Sequence, residues 1–289
     1  MPVTVAYGFI GLGRMGGPMA ANLAKAGLGP SVFDKAGTAE RAPPGSLTAA
    51  SAAVIAGTCD AIFLSLPAGP DVLAVIGEII AAKPRRAADI IDLSTIGIAA
   101  AEEAARRAAA AGLGYLDAPV SGGRAGAIAA TIAVMCAGPR SLFDEHRVAF
   151  AAMAKNVFHV GEKPGQGQAL KLLNNFLSAT ATAATAEALL FGRAQGLDLK
   201  TMLDVVNVST GASAASQGKY VRNVLPGTFD SGFGADQMAK DLRLYREALA
   251  AAGTAGMIGN DVAALWQSAA ADLGAGDHTR VFEFLSRRR

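Results

Sequence analysis

The sequence predicts an α/β amino-terminal half on a doubly wound, mainly parallel sheet, followed by an all-α domain joined to it by one long helix. Through about residue 160, short apolar runs alternate with alanine-rich stretches, and each run ends in a glycine, a proline or a polar turn. Strands that are apolar on both faces and separated by helices are typical of a parallel sheet covered on both sides. The runs are VAYGFI, SVF, AIFLSL, DIIDLS, GYLDAP, TIAVMCA and NVFHV.

The strand-like pattern stops after about Gly196, where helical segments follow one another. A long alanine-rich segment precedes that point and reads as one helix. We therefore expect a sheet domain over residues 1–163, an inter-domain helix over 164–195 and an all-α domain over 196–289. In the last of these, Tyr220, Phe229 and Trp266 are expected in the core.

Composition excludes several classes of protein. Hydrophobic residues make up 52% of the 289-residue chain, enough for substantial cores, so a disordered chain is excluded. The 26 Lys and Arg against 24 Asp and Glu give a net charge of +2, which indicates no nucleic-acid partner. The run SATATAATAEALLFG is interrupted too early for a membrane span, and the amino-terminal residues lack a signal-peptide pattern. We therefore expect a cytoplasmic protein without a membrane partner.

The cysteines and histidines do not form a metal-binding pattern. Cys59 and Cys136 lie far apart in apolar segments, which favours two buried free thiols. His146, His159 and His278 are scattered and lack the four-residue spacing of a helical metal site. No metal is expected.

A glycine-rich turn follows the first strand in FIGLGRMGGPMAANLAKAG. Gly11 permits a tight turn, Gly13 lets the backbone approach a pyrophosphate, and Gly16 lets the helix from Met15 to Ala26 pack against the strand. The helix amino terminus then offers N–H groups to the phosphates. This pattern is typical of a Rossmann-type dinucleotide site, and the expected binding residues are Gly11, Leu12, Gly13, Arg14, Met15 and Gly16.

Asp34 ends the second strand, 18 residues after Gly16. A carboxylate there accepts hydrogen bonds from the adenosine ribose and repels a 2′-phosphate, which favours NAD over NADP. Lys35 and Arg14 weaken that preference because a nearby cation accommodates the extra phosphate, so NADP stays possible. The alternative is that Asp34 only starts a turn.

Two further strand ends carry candidate residues for the same ligand. Leu66 and Pro67 follow the AIFLSL strand, and Thr95 follows DIIDLS. Ligands of open α/β sheets bind at the carboxyl ends of the strands. Ser94 and Thr95 are equally interpretable as caps of the helix that follows.

The segment DAPVSGGRAGA follows the next strand and contains Ser121, Gly122 and Gly123. A Ser-Gly-Gly turn can present a hydroxyl and several backbone N–H groups, an arrangement suited to a small carboxylate. The alternative is a flexible loop stabilised by Asp117 and Pro119.

A polar stripe marks the long helix that begins near GQGQALKLLNN. Its members recur at helical spacing and are Lys171, Asn174, Asn175, Ser178 and Thr182. Because the stripe holds amides and hydroxyls with a single ammonium, it suits a sheltered ligand site better than a solvated face. Burial would lower the pKa of such a lysine and allow proton exchange with a substrate hydroxyl. The alternative is a lysine that snorkels to the surface.

The order of these motifs resembles the β-hydroxyacid dehydrogenases, the family of 3-hydroxyisobutyrate, tartronate semialdehyde and glyoxylate/succinic semialdehyde reductases. The resemblance spans about Tyr7 to Leu242 and includes D-x-S-T, D-A-P-V-S-G-G, G-x-G-x-x-x-K-x-x-N-N and K-D-L. It implies an NAD(P)-dependent oxidoreductase of small hydroxy acids or semialdehydes that forms homodimers or homotetramers.

The resemblance also implies residue roles. Lys171 is the general acid of carbonyl reduction and the base of alcohol oxidation, and Asn175 orients the substrate. Ser121, Gly122 and Gly123 hold the substrate carboxylate. The residues implied on the nicotinamide side of the dinucleotide are Leu66, Pro67 and Thr95. Lys240 closes over cofactor and substrate, and Asp241 positions its segment.

This chain also departs from the family pattern. Ala130 stands where many members carry a glycine, Arg124 adds a cation that we expect to point outward, and the segment near Ser213 lacks an aromatic residue. The substrate is therefore not identified. Two alternatives to a hydroxy acid dehydrogenase are a reductase of another carbonyl or imine and a non-catalytic dinucleotide-binding redox sensor; Lys171 and Asn175 disfavour the sensor.

Overall fold

The computed structural model describes residues 5–288, which divide into two compact units at the bond between Lys171 and Leu172. The first unit contains the sheet. Its strands are β1 Tyr7–Ile10, β2 Ser31–Phe33, β3 Leu47–Thr48, β4 Ala61–Leu64, β5 Asp89–Asp92, β6 Gly114–Asp117, β7 Val120–Ser121, β8 Ile132–Ala137 and β9 Ala154–Gly161. Its helices are α1 Gly16–Lys25, α2 Ala52–Thr58, α3 Gly69–Ala81, α4 Ile98–Ala110, α5 Gly123–Ile128, α6 Arg140–Glu145 and α7 Arg147–Met153.

The sheet order is β3-β2-β1-β4-β5-β6-β8-β7, with β9 paired to β8. All pairs from β3 to β6 are parallel, and β8 runs antiparallel to β6 and β7. The order of the six parallel strands is that of the doubly wound dinucleotide-binding sheet. Their carboxyl ends consequently lie along one edge, where the turns after β1, β2, β4, β5 and β6 meet.

Helices cover both faces of this sheet. Side chains of α1, α5 and α7 pack in one hydrophobic core, and those of α2, α3 and α4 pack in another. Strands β1 and β4 are buried at every position, which explains why their sequences are apolar throughout rather than alternating. The prediction of a doubly wound α/β sheet is confirmed. The two-residue strands β3 and β7 were not predicted because they are too short to show a period.

Helix α8 Gln166–Ala194 begins in the first unit and continues into the second. The second unit then contains α9 Leu199–Val206, a π-helix Ala215–Val224, α10 Ala235–Ala252, α11 Met257–Leu273, a 3-10 helix His278–Arg280 and α12 Val281–Ser286. Tyr220 and Trp266 are completely buried in its core, and Phe229 packs against that core, as expected. The π-helix falls in a stretch for which the sequence predicted no element.

Three further observations concern residues 5–288. Helices long and apolar enough to cross a membrane are absent from this part of the chain. The same residues contain no cluster of His, Cys, Asp and Glu side chains that could hold a metal ion. Cys59 and Cys136 are both buried free thiols.

Candidate active site

The glycine-rich turn between β1 and α1 has the geometry that its sequence predicts. Gly11 has φ +96°, and a Cβ at this position would lie 2.3 Å from the Ser65 carbonyl oxygen. A side chain is therefore excluded by both conformation and space. A Cβ at Gly16 would overlap the Gly11 carbonyl, whereas one at Gly13 would meet nothing within 4 Å. The helix is thus packed tightly onto the turn while the space beside Gly13 stays open.

Asp34 joins the turn after β2 to the glycine-rich turn. Its Oδ2 accepts a 2.6 Å hydrogen bond from the Leu12 amide, and its Oδ1 accepts one of 2.8 Å from the Ala36 amide. The second bond forms the turn that the alternative interpretation expects, and the first places the carboxylate beside the phosphate-binding loop. Arg41, which belongs to no motif of the sequence, lies 3.7 Å from Oδ2 through its Nη1.

The turns after β4 and β5 are held together by a hydroxyl. Ser94 Oγ accepts a 2.8 Å hydrogen bond from the Leu66 amide, which ties the Leu66–Pro67 turn to the Ser94–Thr95 turn. The interpretation of Ser94 and Thr95 as helix caps is wrong, because the N-cap of α4 is Gly97, which has φ +86°. Leu66, Pro67 and Thr95 therefore stand with the glycine-rich turn at the same edge of the sheet.

The Ser-Gly-Gly segment lies between β7 and α5 rather than in a flexible loop. Ser121 ends β7, and Gly122 and Gly123 have φ of +135° and +65°. Ala130 has φ +54°, a left-handed conformation that favours glycine. Arg124 is exposed, in agreement with the expected outward orientation.

Asp117 and Gln168 form a buried clamp at the start of α8, and both side chains are completely buried. Asp117 Oδ2 accepts hydrogen bonds of 3.0 Å from the amides of Gly165 and Gln168, and Oδ1 accepts one of 2.7 Å from Gln168 Nε2. Gln168 Oε1 accepts from the amides of Ile96 and Gly97 at 2.9 and 3.1 Å. The clamp fixes the first turn of α8, three residues before Lys171, against the ends of β5 and β6.

Burial raises the pKa of two carboxyl groups beneath this edge of the sheet. It raises the pKa of Asp117 to about 6, opposed by hydrogen bonds from Gln168, Gly165 and Gly167. It raises the pKa of Asp92 to about 7, although the Ser94 amide and the Tyr115 hydroxyl donate to this carboxyl at 2.9 and 3.2 Å.

A Cβ at Gly167 would lie 2.5 Å from the Met135 carbonyl oxygen, so the motif glycine permits the close approach of α8 to the strands.

The polar stripe of α8 is largely buried. Lys171 is 8% exposed, Asn175 is 7% exposed and Thr182 is completely buried. Lysine is almost never buried without a partner or a function. The burial of Lys171 therefore disfavours the alternative that its side chain snorkels to the surface. Lys171 and Asn175 are four residues apart, so they lie on one side of the helix.

In the second unit, Asp241 connects two of the predicted site residues. Its Oδ2 accepts a 2.5 Å hydrogen bond from Asn175 Nδ2, and its Oδ1 lies 3.2 Å from Lys240 Nζ. Asp241 is only 3% exposed. One buried carboxylate thus holds both the amide predicted to orient the substrate and the lysine predicted to close over it.

The arrangement in the first unit fits a dinucleotide. The space beside Gly13 is open, Met15 supplies no side-chain cap to α1, and the first turn of α1 contains no acidic residue. Such a helix amino terminus favours a pyrophosphate. The residues that would hold the dinucleotide are those of the turn from Gly11 to Gly16, with Asp34 at the ribose and Leu66, Pro67 and Thr95 farther along the edge.

Both halves of the chain match known protein families. Residues 6–161 match the family described as NAD binding domain of 6-phosphogluconate dehydrogenase, and residues 165–285 match NAD-binding of NADP-dependent 3-hydroxyisobutyrate dehydrogenase. The 2-(hydroxymethyl)glutarate dehydrogenase of Eubacterium barkeri is 36% identical over 253 residues, which are 86% of this chain and 83% of that protein. The NAD-dependent L-serine dehydrogenase of Pseudomonas aeruginosa is 36% identical over 272 residues, 90% of each chain.

Solved structures agree with the sequence matches. The 3-hydroxyisobutyrate dehydrogenase of Mycobacterium tuberculosis, solved with L-serine, superposes with a TM-score of 0.89 at 33% identity and covers 98% of this chain and 99% of its own. Both halves of the chain, its relatives and its fold thus lead to one conclusion. The chain belongs to the 3-hydroxyisobutyrate dehydrogenase, or β-hydroxyacid dehydrogenase, family and is an NAD(P)-dependent enzyme of that family.

Proposed function

We propose that this enzyme interconverts a small hydroxy acid and the corresponding carbonyl acid with NAD(P), using Lys171 as the general acid and base. The observation that carries the proposal is the burial of Lys171 and Asn175, 8% and 7% exposed, one turn apart on α8. An ammonium and an amide kept from solvent on one side of a helix suit proton exchange with a bound hydroxyl.

In the oxidation direction, Lys171 in its neutral amine form takes the proton of the substrate hydroxyl on Nζ as the carbonyl double bond forms. Bound NAD(P) supplies the acceptor for the hydride that leaves the same carbon. In reduction, Lys171 returns the proton to the carbonyl oxygen. Asn175 aims the substrate oxygen, and Ser121, Gly122 and Gly123 bind the substrate carboxylate with a hydroxyl and backbone N–H groups.

Asp34 supports a preference for NAD over NADP. Its carboxylate lies beside the phosphate-binding loop through the Leu12 amide, where a 2′-phosphate would meet a negative charge. The related serine dehydrogenase of Pseudomonas aeruginosa is NAD-dependent. Arg41, at 3.7 Å from Asp34, reduces the preference without reversing it.

We also propose that the enzyme is a homodimer or homotetramer. Leu173 and Leu177 on α8 are 47% and 58% exposed, and apolar side chains that recur at helical spacing favour association. Light scattering coupled to gel filtration would give the number of subunits, and a monomer at micromolar concentration would contradict this.

The experiment that tests the proposed function is a spectrophotometric screen of purified enzyme with NAD or NADP and a panel of 2- and 3-hydroxy acids and semialdehydes. We expect turnover with at least one hydroxy acid and a lower KM for NADH than for NADPH with the matching semialdehyde. Absence of turnover with every acid would contradict the substrate class, and a reversed order of KM values would remove Asp34 from its role.

A further inference from the structure

A second lysine lies against the polar stripe of α8, at a position that the catalytic proposal does not use. Lys219, on the π-helix, donates hydrogen bonds of 2.8 Å to Ser178 Oγ and 3.1 Å to Thr182 Oγ1. Ser178 follows Asn175 by three residues, so it lies about 5 Å farther along the axis of the same helix. The ammonium therefore extends the side of α8 that carries Lys171 and Asn175.

Lys219 has no anionic partner at contact distance. Within residues 5–288, no carboxylate lies within 4 Å of its Nζ, and both of its hydrogen-bond partners are hydroxyls. Asp277 is the carboxylate that attracts it from farther away. The two oxygens of Asp277 already accept hydrogen bonds from Ser231, Gly232 and Thr279. A sheltered ammonium without a counter-ion is costly, so this position favours an incoming anion.

The hydroxyls around Lys219 differ in a way that identifies the open donors. Thr182 is completely buried, and its hydroxyl donates to the Ser178 carbonyl at 2.7 Å. Ser178 is partly exposed, and its Oγ accepts from Lys219 while the described residues supply no acceptor for its own hydrogen. An ammonium has three N–H donors, and two of those on Lys219 are used. One N–H of Lys219 and the O–H of Ser178 thus remain as a pair of donors.

We propose that Lys219 and Ser178 form a subsite for a second carboxylate of the substrate. The preferred substrates are then hydroxy acids with two carboxylates. One is attached to the carbon that carries the hydroxyl-bearing arm, and the other ends a short chain from the same carbon. This inference rests on the proposed function, because it assigns the far end of a substrate whose hydroxyl meets Lys171. It names a substrate class that Ser121, Gly122 and Gly123 alone do not select.

The charges around Lys219 predict how the subsite depends on pH. Burial lowers the pKa of Lys219 to about 8, although the attraction of Asp277 raises it. Burial and the Lys219 charge lower the pKa of His278 to about 4, so His278 is neutral at pH 7. Hydrogen bonds from Thr279, Gly232 and Ser231 outweigh burial and keep the pKa of Asp277 low. From α8, the hydroxyls of Ser178 and Thr182 accept hydrogen bonds from the ammonium. Carboxylate binding should therefore weaken as the pH rises above about 8 and Lys219 loses its proton.

Two acids test the proposal as a matched pair. In 2-(hydroxymethyl)glutarate, a carboxyethyl group replaces the methyl group of 3-hydroxyisobutyrate, and the rest of the molecule is unchanged. We expect the wild-type enzyme to favour the dicarboxylate in kcat/KM. Lys219→Met should lower kcat/KM for the dicarboxylate by roughly 10- to 100-fold, mainly through KM, because a charge-assisted hydrogen bond is lost. In Lys219→Met, kcat/KM for 3-hydroxyisobutyrate should stay within about threefold of the wild-type value. The control is Lys200→Met, which alters an exposed lysine on α9, and its kcat/KM for both acids should also stay within about threefold of wild type.

Equal losses for both acids in Lys219→Met would overturn the proposal and leave Lys219 as a support of the fold. Ser178→Ala, which keeps the Lys219–Thr182 bond, provides a milder variant with an expected dicarboxylate-specific loss of roughly three- to tenfold. Calorimetric titration with glutarate, which lacks the hydroxyl, separates the two proposals. If neither acid is oxidised but glutarate binds wild type and not Lys219→Met, the proposed function fails and the subsite stands. Equal binding of glutarate to both proteins would remove the subsite.

Discussion

Two charged side chains lie against α8, the completely buried Asp117 and the partly buried Lys219, and their hydrogen bonds differ. Asp117, at the first turn, accepts hydrogen bonds from two backbone amides and from the Gln168 side chain. Lys219 lies on the π-helix and faces the middle of α8. Its ammonium donates hydrogen bonds to two hydroxyls of α8, and among the described residues no carboxylate lies within 4 Å of it. Asp117 is therefore a completed structural element, whereas Lys219 retains the capacity to bind an anion.

The difference separates residues that position the site from residues that contact a ligand. A buried polar group whose hydrogen bonds are all made within the fold rigidifies its surroundings. A buried charge without a counter-ion costs free energy, which a ligand of opposite charge offsets. The same criterion places Gln168 among the positioning residues.

The largest expected effect in the positioning class is that of Gln168→Leu. This change leaves the amides of Ile96 and Gly97 without their acceptor and Asp117 without a donor, at a cost of about 1 to 3 kcal/mol per buried group. Because the start of α8 would shift, we expect kcat to fall by roughly 10- to 100-fold. Gln166→Leu, which alters an exposed residue two positions earlier, is the matched control and should retain nearly full turnover. Equal kcat values in the two variants would show that the clamp does not position Lys171.

The buried carboxyls of the first unit predict a pH-dependent stability. The pKa of Asp92 is raised to about 7 by burial, so the folded state binds its proton more tightly than the unfolded state does. The contribution of protonated Asp92 to the free energy of unfolding is fully present below about pH 4, and it is lost as the pH rises towards 7. Between pH 5 and pH 8, the free energy of unfolding of wild type should fall by about 2 to 4 kcal/mol relative to Asp92→Asn. Parallel pH profiles in urea unfolding would show that Asp92 is ionised throughout.

The smallest expected effect concerns Ala130, whose φ of +54° costs about 1 to 2 kcal/mol for a residue with a Cβ. Ala130→Gly removes that cost but adds backbone entropy to the unfolded chain. We expect a net stabilisation of up to about 1 kcal/mol and a Tm higher by about 1 to 3 °C. Ala129→Gly makes the same chemical change at φ −82° and should lower the Tm. A lower Tm in both variants would show that the left-handed conformation is not strained.

The sequence predicted the parts of the structure that depend on local patterns. The sheet, the glycine-rich turn and the start of α8 follow from periodicity and from positions where only glycine fits, such as Gly11. The stripe on α8 was also visible, because one helix carries all its members. These features need no knowledge of which distant segments come together.

The contacts that stabilise the candidate site were not predicted, because they join residues far apart in the chain. Gln168 resembles any polar residue in a helix until the fold places it against Asp117, 51 residues earlier. Lys219 lies in a π-helix that has no periodic signal, and Arg41 lies in a turn. Ser94 was equally interpretable as a helix cap, but its hydroxyl accepts a hydrogen bond from the Leu66 amide at another strand end. Tertiary hydrogen bonds determine each of these roles.

The central claim is that Lys171 moves the proton while the rest of the site binds and positions. Measuring kcat and the dissociation constant of NADH for Lys171→Ala, with Lys155→Ala as an exposed-lysine control, tests it most directly. We expect kcat to fall by a factor of roughly 10² or more in Lys171→Ala, with NADH affinity nearly unchanged and the control close to wild type. Turnover of Lys171→Ala within a few fold of wild type would contradict the claim.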